Sequence, residues 1–298
     1  MINSIVITGA TGFVGINLQD YLKASYVVQP MSIRYAPNQQ FQIKSDTIIH
    51  LAGKAHDLKN VSNPQDYYEA NFELTKQLFD AFLTSDSTIF IFLSTVKAVV
   101  DSVAGILSEV EVPNPITAYG KSKQVAEAYI LANLPANKKV YILRPCMIHG
   151  PGNKGNLNLL YSLVSKGFPW PLGAFENQRS FLSIGNLCFV IKELLTQQNI
   201  PSGIYNVADD APLSTNELIQ LIAVSQNKQA RILNLSKNFI IRIAKLGDRL
   251  HLPLNSERLQ KLTESYVVSI AKIKQAIGKP FPVKAKEGLL KTFESFKV

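Results

Sequence analysis

Hydrophobic positions along the chain fall into two alternating textures. Short apolar, β-branched runs occur at Ser4-Ile5-Val6-Ile7-Thr8, Tyr26 to Ile33, Asp46 to Ala52, Ser87 to Thr95 and Lys139 to Leu143. Their unbroken character suits strands buried on both faces of a parallel sheet. Between them apolar residues recur at helical spacing: Val14, Leu18 and Leu22, then Tyr68, Phe72, Leu78 and Phe82 between Pro64 and Leu83, then a helix from about Ala118 to Leu131. The alternation predicts an α/β fold with a right-handed, doubly wound parallel sheet.

Past Gly150-Pro151-Gly152 the texture changes. Short helices (Asn156 to Lys166, Leu187 to Thr196, Thr215 to Val224) lie between proline and glycine turns, with a strand at Gly203 to Ala208 and another expected at Arg231 to Leu235. Residues 1–152, with part of 186–208, are expected to form the sheet domain. Residues 153–298 mostly form a smaller α/β lobe over the sheet's carboxyl edge. The stretch from Lys237 to Arg249 is basic and amphipathic, with Phe239, Ile243, Leu246 and Leu250 on one face. That face is read as core-facing, with a solvated back, rather than as a membrane anchor.

The first strand runs into Gly9-Ala10-Thr11-Gly12-Phe13-Val14-Gly15 and then into the first helix. Strand, glycine turn and helix together make a dinucleotide-binding fingerprint of Rossmann type. Gly9 permits the tight turn, Gly12 lets a pyrophosphate reach the free amides of the helix N-terminus, and Gly15 lets the helix pack closely on the strand. A glycine turn that binds nothing is the weaker reading in this context.

Composition adds mainly exclusions. The chain has 298 residues and a net charge of +9. Its lysines and arginines are scattered, with no basic arm or aromatic–basic stripe, so no nucleic-acid partner is expected; attraction of diphosphates explains the charge better. The first strand begins too early for a secretory leader, and no apolar run reaches membrane-span length, which makes cytoplasm the expectation. Cys146 and Cys188 lie far apart in apolar surroundings and read as buried thiols. The four histidines lack metal-ligand spacing, so no metal is expected.

Ligands of open α/β sheets bind at the carboxyl ends of the strands. Thr95 closes one buried strand, and Tyr119 and Lys123 lie one helical turn apart on one face. A tyrosine and a lysine at that spacing are common on solvated helices; beside the glycine turn and Thr95 they form a catalytic set. A free phenol titrates near 10, too high for a base at neutral pH. The Lys123 ammonium and a positive nicotinamide would favour the phenolate, letting Tyr119 move a carbinol proton while Thr95 holds the same oxygen. His56, just past a strand, could touch a ligand or merely cap a loop. Asn71 stands in mid-helix, where asparagine needs a reason such as a structural hydrogen bond.

Gly9-x-x-Gly12-x-x-Gly15, His50-Leu51-Ala52-Gly53, Asn71, Ser94-Thr95 and Tyr119-Gly120-Lys121-Ser122-Lys123 resemble the extended short-chain dehydrogenase/reductases, the NAD-dependent epimerase/dehydratase family. The resemblance covers nearly the whole chain. It implies a dinucleotide site of Gly9, Thr11, Gly12, Phe13, Val14, Gly15, Leu51, Ala52, Gly53, Asn71, Ser94, Tyr119, Lys123 and Pro145. It also implies a nucleotide-sugar site that includes His56, Thr95, Asn156, Arg179 and Arg258, and a homodimer. Gly152 to Leu157, Pro169 to Gly173 and Arg179-Ser180-Phe181 are most similar to UDP-hexose 4-epimerases and UDP-4-keto-6-deoxy-N-acetylhexosamine 4-reductases of surface polysaccharide pathways.

Val96 and Lys97 follow Thr95 where dehydratases and decarboxylases of this family carry an acid, which argues against a sugar 4,6-dehydratase. The second strand ends at Ser32-Ile33-Arg34 in place of the family's acidic residue. Arg34 suits a 2′-phosphate and tilts the NAD(P) expectation toward NADP. The segment Ala36 to Ser45 is short, and the family's third strand is expected to be missing. Val100 and Asp101 replace a glycine usual in the next loop. The resulting expectation is a 4-keto-sugar reductase, with a UDP-sugar 4-epimerase as the alternative. A dinucleotide-sensing regulator is remote, because it would have no use for an intact Tyr119 and Lys123.

Overall fold

The structure, a computed structural model, describes residues 4–55, 63–153, 155–250, 252 and 254–296. Six strands form one parallel sheet: β1 (Ser4–Thr8), β2 (Val27–Met31), β3 (Thr47–His50), β4 (Ile89–Leu93), β6 (Lys139–Pro145) and β9 (Gly203–Val207), in the order β2-β1-β3-β4-β6-β9. Two short parallel pairs stand apart from it. One joins β5 (Ile106–Leu107) to β10 (Val267–Val268), the other β7 (Met147–His149) to β8 (Phe181–Ser183).

Strand alternation divides the core. Ile5, Ile7, Ile49, Ile91, Tyr141 and Leu143 face α1 (Phe13–Leu22) and α6 (Ile184–Thr196), through Leu18, Leu22, Leu187 and Ile191. Ile48, Phe90, Phe92, Val140 and Ile142 face the opposite side. There they meet Leu78, Phe79 and Phe82 of α3 (Leu74–Thr84), and Ala126 and Ile130 of α4 (Ala118–Ala132). Each fully buried side chain of this size contributes about 1.5–3 kcal/mol, and Phe90→Ala would cost about 3–5 kcal/mol. The edge strand β2 is largely exposed and carries Pro30, which an edge tolerates because one side of it has no ladder to feed.

The order reverses on either side of β1, and that switch point opens at the carboxyl ends of β1 and β3. The chain leaves β2 without forming a strand before Thr47; Ile33, Phe41 and Ile43 pack instead against the α3–α4 side of the core. The missing third strand expected from the sequence is therefore missing in the fold.

Pro64 to Thr84 is helical throughout, but in three pieces: α2 (Pro64–Tyr68), a π-turn at Glu69–Glu73, and α3. Beyond the sheet lie α5 (Asn156–Ser165), α7 (Thr215–Ser225), α8 (Lys237–Leu250), α9 (Ser256–Thr263), α10 (Ala271–Ile277) and α11 (Ala285–Glu294). Leu157, Leu218, Ile222 and Leu289 make one core here, and Trp170, Leu172, Ile219, Ile240 and Leu259 another. Tyr266, Val268, Ile273 and Phe281 return to the α1–α6 side of the sheet.

Three local expectations fail. The strand predicted to stop at Leu143 continues through Arg144 to Pro145, paired with Asn206 and Val207. Arg231 to Leu235 makes only isolated bridges, Ile232 to Trp170 and Asn234 to Leu172. The α8 face expected to be buried is the outer one: Phe239, Leu246 and Leu250 are 54%, 52% and 58% exposed, while Ile240, Ala244 and Gly247 are buried. The small residues decide this. A Cβ at Gly247 would lie 1.9 Å from the Leu254 carbonyl oxygen, so the helix presses its smallest face against the turn into α9.

Candidate active site

The glycine turn is dictated sterically. Gly9 has φ +66°, and a Cβ there would lie 2.7 Å from the Ala52 amide nitrogen. At Gly15 a Cβ would lie 2.4 Å from the Gly9 carbonyl oxygen, so this glycine packs the helix against the turn itself rather than the strand. Gly12 differs. Its Cβ would meet only the Gly9 carbonyl oxygen, at 3.3 Å. Thr11 and Gly12 are exposed, Phe13 and Val14 half-buried, and α1 has no side-chain cap. Uncapped amides behind an open glycine can take a diphosphate.

Thr8 and His50, side by side at the ends of β1 and β3, hold the next loop. The Thr8 Oγ1 accepts from the amides of Leu51 at 3.2 Å and Ala52 at 3.1 Å, and bonds His50 Nδ1 at 2.7 Å. His50 Nε2 bonds Thr75 Oγ1 at 2.9 Å. Burial, with help from the Lys123 charge, holds the imidazole down to about 3, so it is a neutral joint.

Asn71 supplies its own reason for standing in a helix. It is fully buried in the π-turn, where its Oδ1 accepts from the Lys54 amide at 2.8 Å. Its Nδ2 donates to the Lys54 carbonyl and to Ser122 Oγ, both at 3.0 Å. π-turns often mark functional positions; this one ties the loop after β3 to α4. Gly53 is part of the joint, since a Cβ there would lie 2.6 Å from Asn71 Oδ1 and 3.2 Å from Lys123 Nζ.

Tyr119 and Lys123 come from the first turns of α4, capped by Thr117 Oγ1, which accepts from the Gly120 amide at 3.1 Å. A Cβ at Gly120 would lie 2.4 Å from the Lys97 carbonyl oxygen. That close approach brings α4 onto the loop after β4 and sets Tyr119 near Thr95, whose hydroxyl acts on the phenol's pKa. The buried Lys123 ammonium donates to the Leu93 carbonyl at 2.9 Å and sits 4.6 Å from the Phe92 ring centroid. Burial pulls it down to about 8, partly offset by the nearby Glu127 carboxylate.

One expectation about this set is corrected. The phenol of Tyr119 lies above its ordinary value: burial raises it more than the nearby Thr95 hydroxyl lowers it, and Tyr67 adds to the rise. Lys123, whose ammonium turns to the Leu93 carbonyl and the Phe92 ring, is not among the groups that lower it.

Tyr119 opens on a cavity of about 370 Å³ lined by Ala55, Tyr67, Lys97, Asp101, Thr117 and Ala118. Lys97 Nζ donates to the Asp101 carbonyl at 2.6 Å and lies 4.4 Å from the Tyr266 ring centroid. Burial lowers its pKa, against the opposing charges of Asp101 and Glu264. Lys97 and Asp101 thus belong to the cavity wall, which the sequence reading noted only as departures from a pattern. Their positions two and six residues past Thr95 were the available clue.

Behind Thr95, Ser94 Oγ donates to Glu127, and Arg144 grips the same carboxylate through Nε at 3.0 Å and Nη2 at 2.6 Å. Both charged side chains are 3% exposed. This network was also missed; Glu127 lies four residues beyond Lys123, the same helical spacing that separates Tyr119 from Lys123. Pro145 is buried at the end of β6. Gly150 lies against Phe13 and Ile184, bringing the following loop beside the glycine turn.

The remaining expected residues are more dispersed. Arg34 is exposed just past β2, and Asn156 is exposed at the first position of α5. Arg179 donates from Nη1 to the Lys261 carbonyl at 2.7 Å, with Glu264 at 3.9 Å. Arg258 lies exposed on α9. His56 lies outside the described residues. Among the described residues no group of three or more His, Cys, Asp or Glu could hold a metal, and both cysteines are buried free thiols.

A family model described as NAD dependent epimerase/dehydratase family matches residues 5–208. The chain belongs to that family. It is 30% identical over 322 residues to a UDP-glucose 4-epimerase of Vibrio cholerae, covering 99% of this chain and 96% of the relative. It is 28% identical over 250 residues, 77% and 74% of the two chains, to the N-acetyl-alpha-D-glucosaminyl-diphospho-ditrans,octacis-undecaprenol 4-epimerase of Escherichia coli O157:H7. In fold it is similar to the UDP-glucuronic acid 4-epimerase of Bacillus cereus, crystallised with NAD, with TM-score 0.74, 20% identity and coverage of 99% and 98%. The epimerase/dehydratase family thus accounts for a nicotinamide cofactor, for which the glycine turn and the uncapped α1 amides are fit, and for a nucleotide-sugar enzyme of epimerase or reductase type.

Proposed function

We propose that this chain is a sugar-diphosphate 4-epimerase, with a UDP-hexose or UDP-N-acetylhexosamine as its substrate. The observation that carries the reading is the convergence of Thr95, Tyr119 and the buried Lys123 ammonium at the sheet's carboxyl edge, where α4 presses on the loop after β4. The relatives tip it toward epimerisation, since two matched over most of this chain carry epimerase names.

Phe13, Gly12 and the α1 amides would hold the diphosphate of the dinucleotide, the loop Leu51–Gly53 its middle, and Lys123 its ribose. Bound, the nicotinamide supplies or accepts the hydride. Tyr119 takes the proton of the C4 hydroxyl and later returns it, and Thr95 orients that oxygen. Because burial leaves the phenol too weak an acid, the positive charge of a bound nicotinamide would be what favours the phenolate, with Lys123 holding the ribose. Arg179, beside Lys97, would meet the substrate's diphosphate, and Asn156 and Arg258 would flank it. Chemistry at C5 finds no acid next to Thr95, which argues against a dehydratase.

A second reading, a 4-keto-sugar reductase using NADPH, draws on Arg34 past β2. Denaturing the purified protein and weighing the released dinucleotide separates the two. Stoichiometric NAD that survives dialysis supports the epimerase, which recycles its cofactor. An empty site that takes up NADPH, and consumes it with a UDP-4-keto-6-deoxy sugar, supports the reductase. Failure to bind either dinucleotide ends both readings.

A further inference from the structure

The outer face of α8 is an exposed apolar surface that the active site does not use. The helix has 14 residues and is about 21 Å long. Phe239, Ile243, Leu246 and Leu250 follow one another at intervals of four, three and four residues, so they form one stripe along the axis. Leu252, just past the end, is a further 42% exposed. Apolar stripes of this kind normally turn inward, but here Ile240, Ala244 and Gly247 occupy the inner face against α9.

Charge follows the stripe. Arg242, Lys245 and Arg249 are exposed along one flank of it, and none of them takes part in an ion pair among the described residues. The helix's single acid, Asp248, falls on the side away from the stripe, where its carboxylate accepts from the Ser256 amide at 2.9 Å and hydroxyl at 2.6 Å. No helix among the described residues is long and apolar enough to cross a membrane. An exposed apolar stripe with unpaired cations beside it and its acid turned away is instead the pattern of a helix lying in a membrane interface.

We propose that α8 docks this protein on an anionic bilayer surface, with Phe239, Leu246 and Leu250 entering the headgroup boundary and Arg242, Lys245 and Arg249 on the lipid phosphates. A second copy of the chain suits the stripe less well, because a twofold contact would set two such cationic helices together. The placement also has a use. Helix α8 packs on α9, and the Lys261 carbonyl of α9 holds Arg179, so the docking face and the arginine of the proposed diphosphate site belong to one lobe.

Co-sedimentation of the intact protein with phosphatidylcholine vesicles, with and without phosphatidylglycerol, tests this without any turnover. Wild type should partition onto the anionic vesicles and come off as salt is raised. The triple variant Phe239→Ser/Leu246→Ser/Leu250→Ser should lose at least about tenfold in partitioning. The variant Arg242→Gln/Lys245→Gln/Arg249→Gln should lose about fivefold per charge. All six positions are at the surface, so both variants should melt as wild type does and keep the soluble activity. Equal binding to both vesicle types, no binding, or variants that bind as well as wild type would overturn the proposal. So would a serine variant whose only change, by light scattering, is a smaller assembly, because the stripe would then belong to a second copy or another protein. None of these results depends on which sugar, or which dinucleotide, the enzyme uses.

Discussion

At the carboxyl edge of the sheet, Thr8, His50, Asn71, Thr95 and Lys123 are all buried; Thr95 caps its own turn by accepting from the Lys97 amide, and each of the others has a hydrogen-bond partner on another element. Among the elements beyond the sheet, the residues expected to meet the substrate are held differently. Asn156 and Arg258 are exposed at the starts of helices, and Arg179 is anchored by one carbonyl and a carboxylate 3.9 Å away. The dinucleotide edge is therefore preorganised by buried hydrogen bonds, whereas the residues expected to meet the substrate stand more exposed. The contrast suits a fold that keeps one chemistry and varies its sugars. It also says where mutations should change rate and where they should change affinity.

The largest effect is expected at Tyr119. Tyr119→Phe keeps the ring beside Tyr67 and removes only the hydroxyl, so kcat should fall by about 10²–10⁴-fold with dinucleotide binding retained. An unchanged kcat in a cofactor-loaded sample would remove the preorganised edge from the mechanism altogether.

Glu127→Gln sharpens the same side of the comparison. It leaves Arg144 buried without its carboxylate, at a cost of about 3–5 kcal/mol, read from the shift of a urea midpoint. The Glu127 charge also holds the Lys123 ammonium up. Without it that pKa drops below about 8, and the alkaline limb of the pH–rate profile should move to lower pH. Lost stability with an unmoved limb would make Glu127 purely structural.

His50 gives a test in acid. Its folded value of about 3 lies below an unfolded value near 6.5. As pH falls through that window the unfolded chain takes a proton that the folded one refuses. Stability should drop by about 1.4 kcal/mol per pH unit. His50→Gln keeps a polar group between Thr8 and Thr75 and removes the titration. Its deficit relative to wild type, measured by urea melts, should shrink between about pH 6.5 and about pH 4. A constant deficit would mean that the imidazole is not the group refusing the proton.

How much could be read in advance follows the same division. Gly9, Gly15 and Gly53 were legible because backbone or a buried amide lies where a Cβ would be; no other residue satisfies those positions. Asn71 announced itself by standing in a helix that should reject it. The Glu127–Arg144 pair was invisible because its two charges come together only when α4 crosses the end of β6. The α8 face was misread because size suggested burial, whereas close packing at Gly247 favoured the small side. Lys97 was seen only as a missing acid, since nothing in the local sequence shows that the turn after Thr95 forms a cavity wall.

The smallest effect is expected at Arg179, and it bears most directly on the lobe. The guanidinium is already engaged by the Lys261 carbonyl, and burial lowers its pKa, so only part of its donor set is available to a diphosphate. Arg179→Ala should raise KM for the sugar diphosphate by about tenfold and leave kcat unchanged, the sign of binding that is equal in ground and transition states. Arg179→Lys should recover little of this, because a point charge cannot bridge the Lys261 carbonyl and a phosphate as a planar fork does. The backbone of Arg179 also bridges Leu213 and Tyr266, a structural role that both variants retain. If KM stays level while the melting temperature falls, Arg179 is a strut between α9 and the core of the lobe. The diphosphate would then have to be met by Lys97, in the wall of the cavity beside Tyr119.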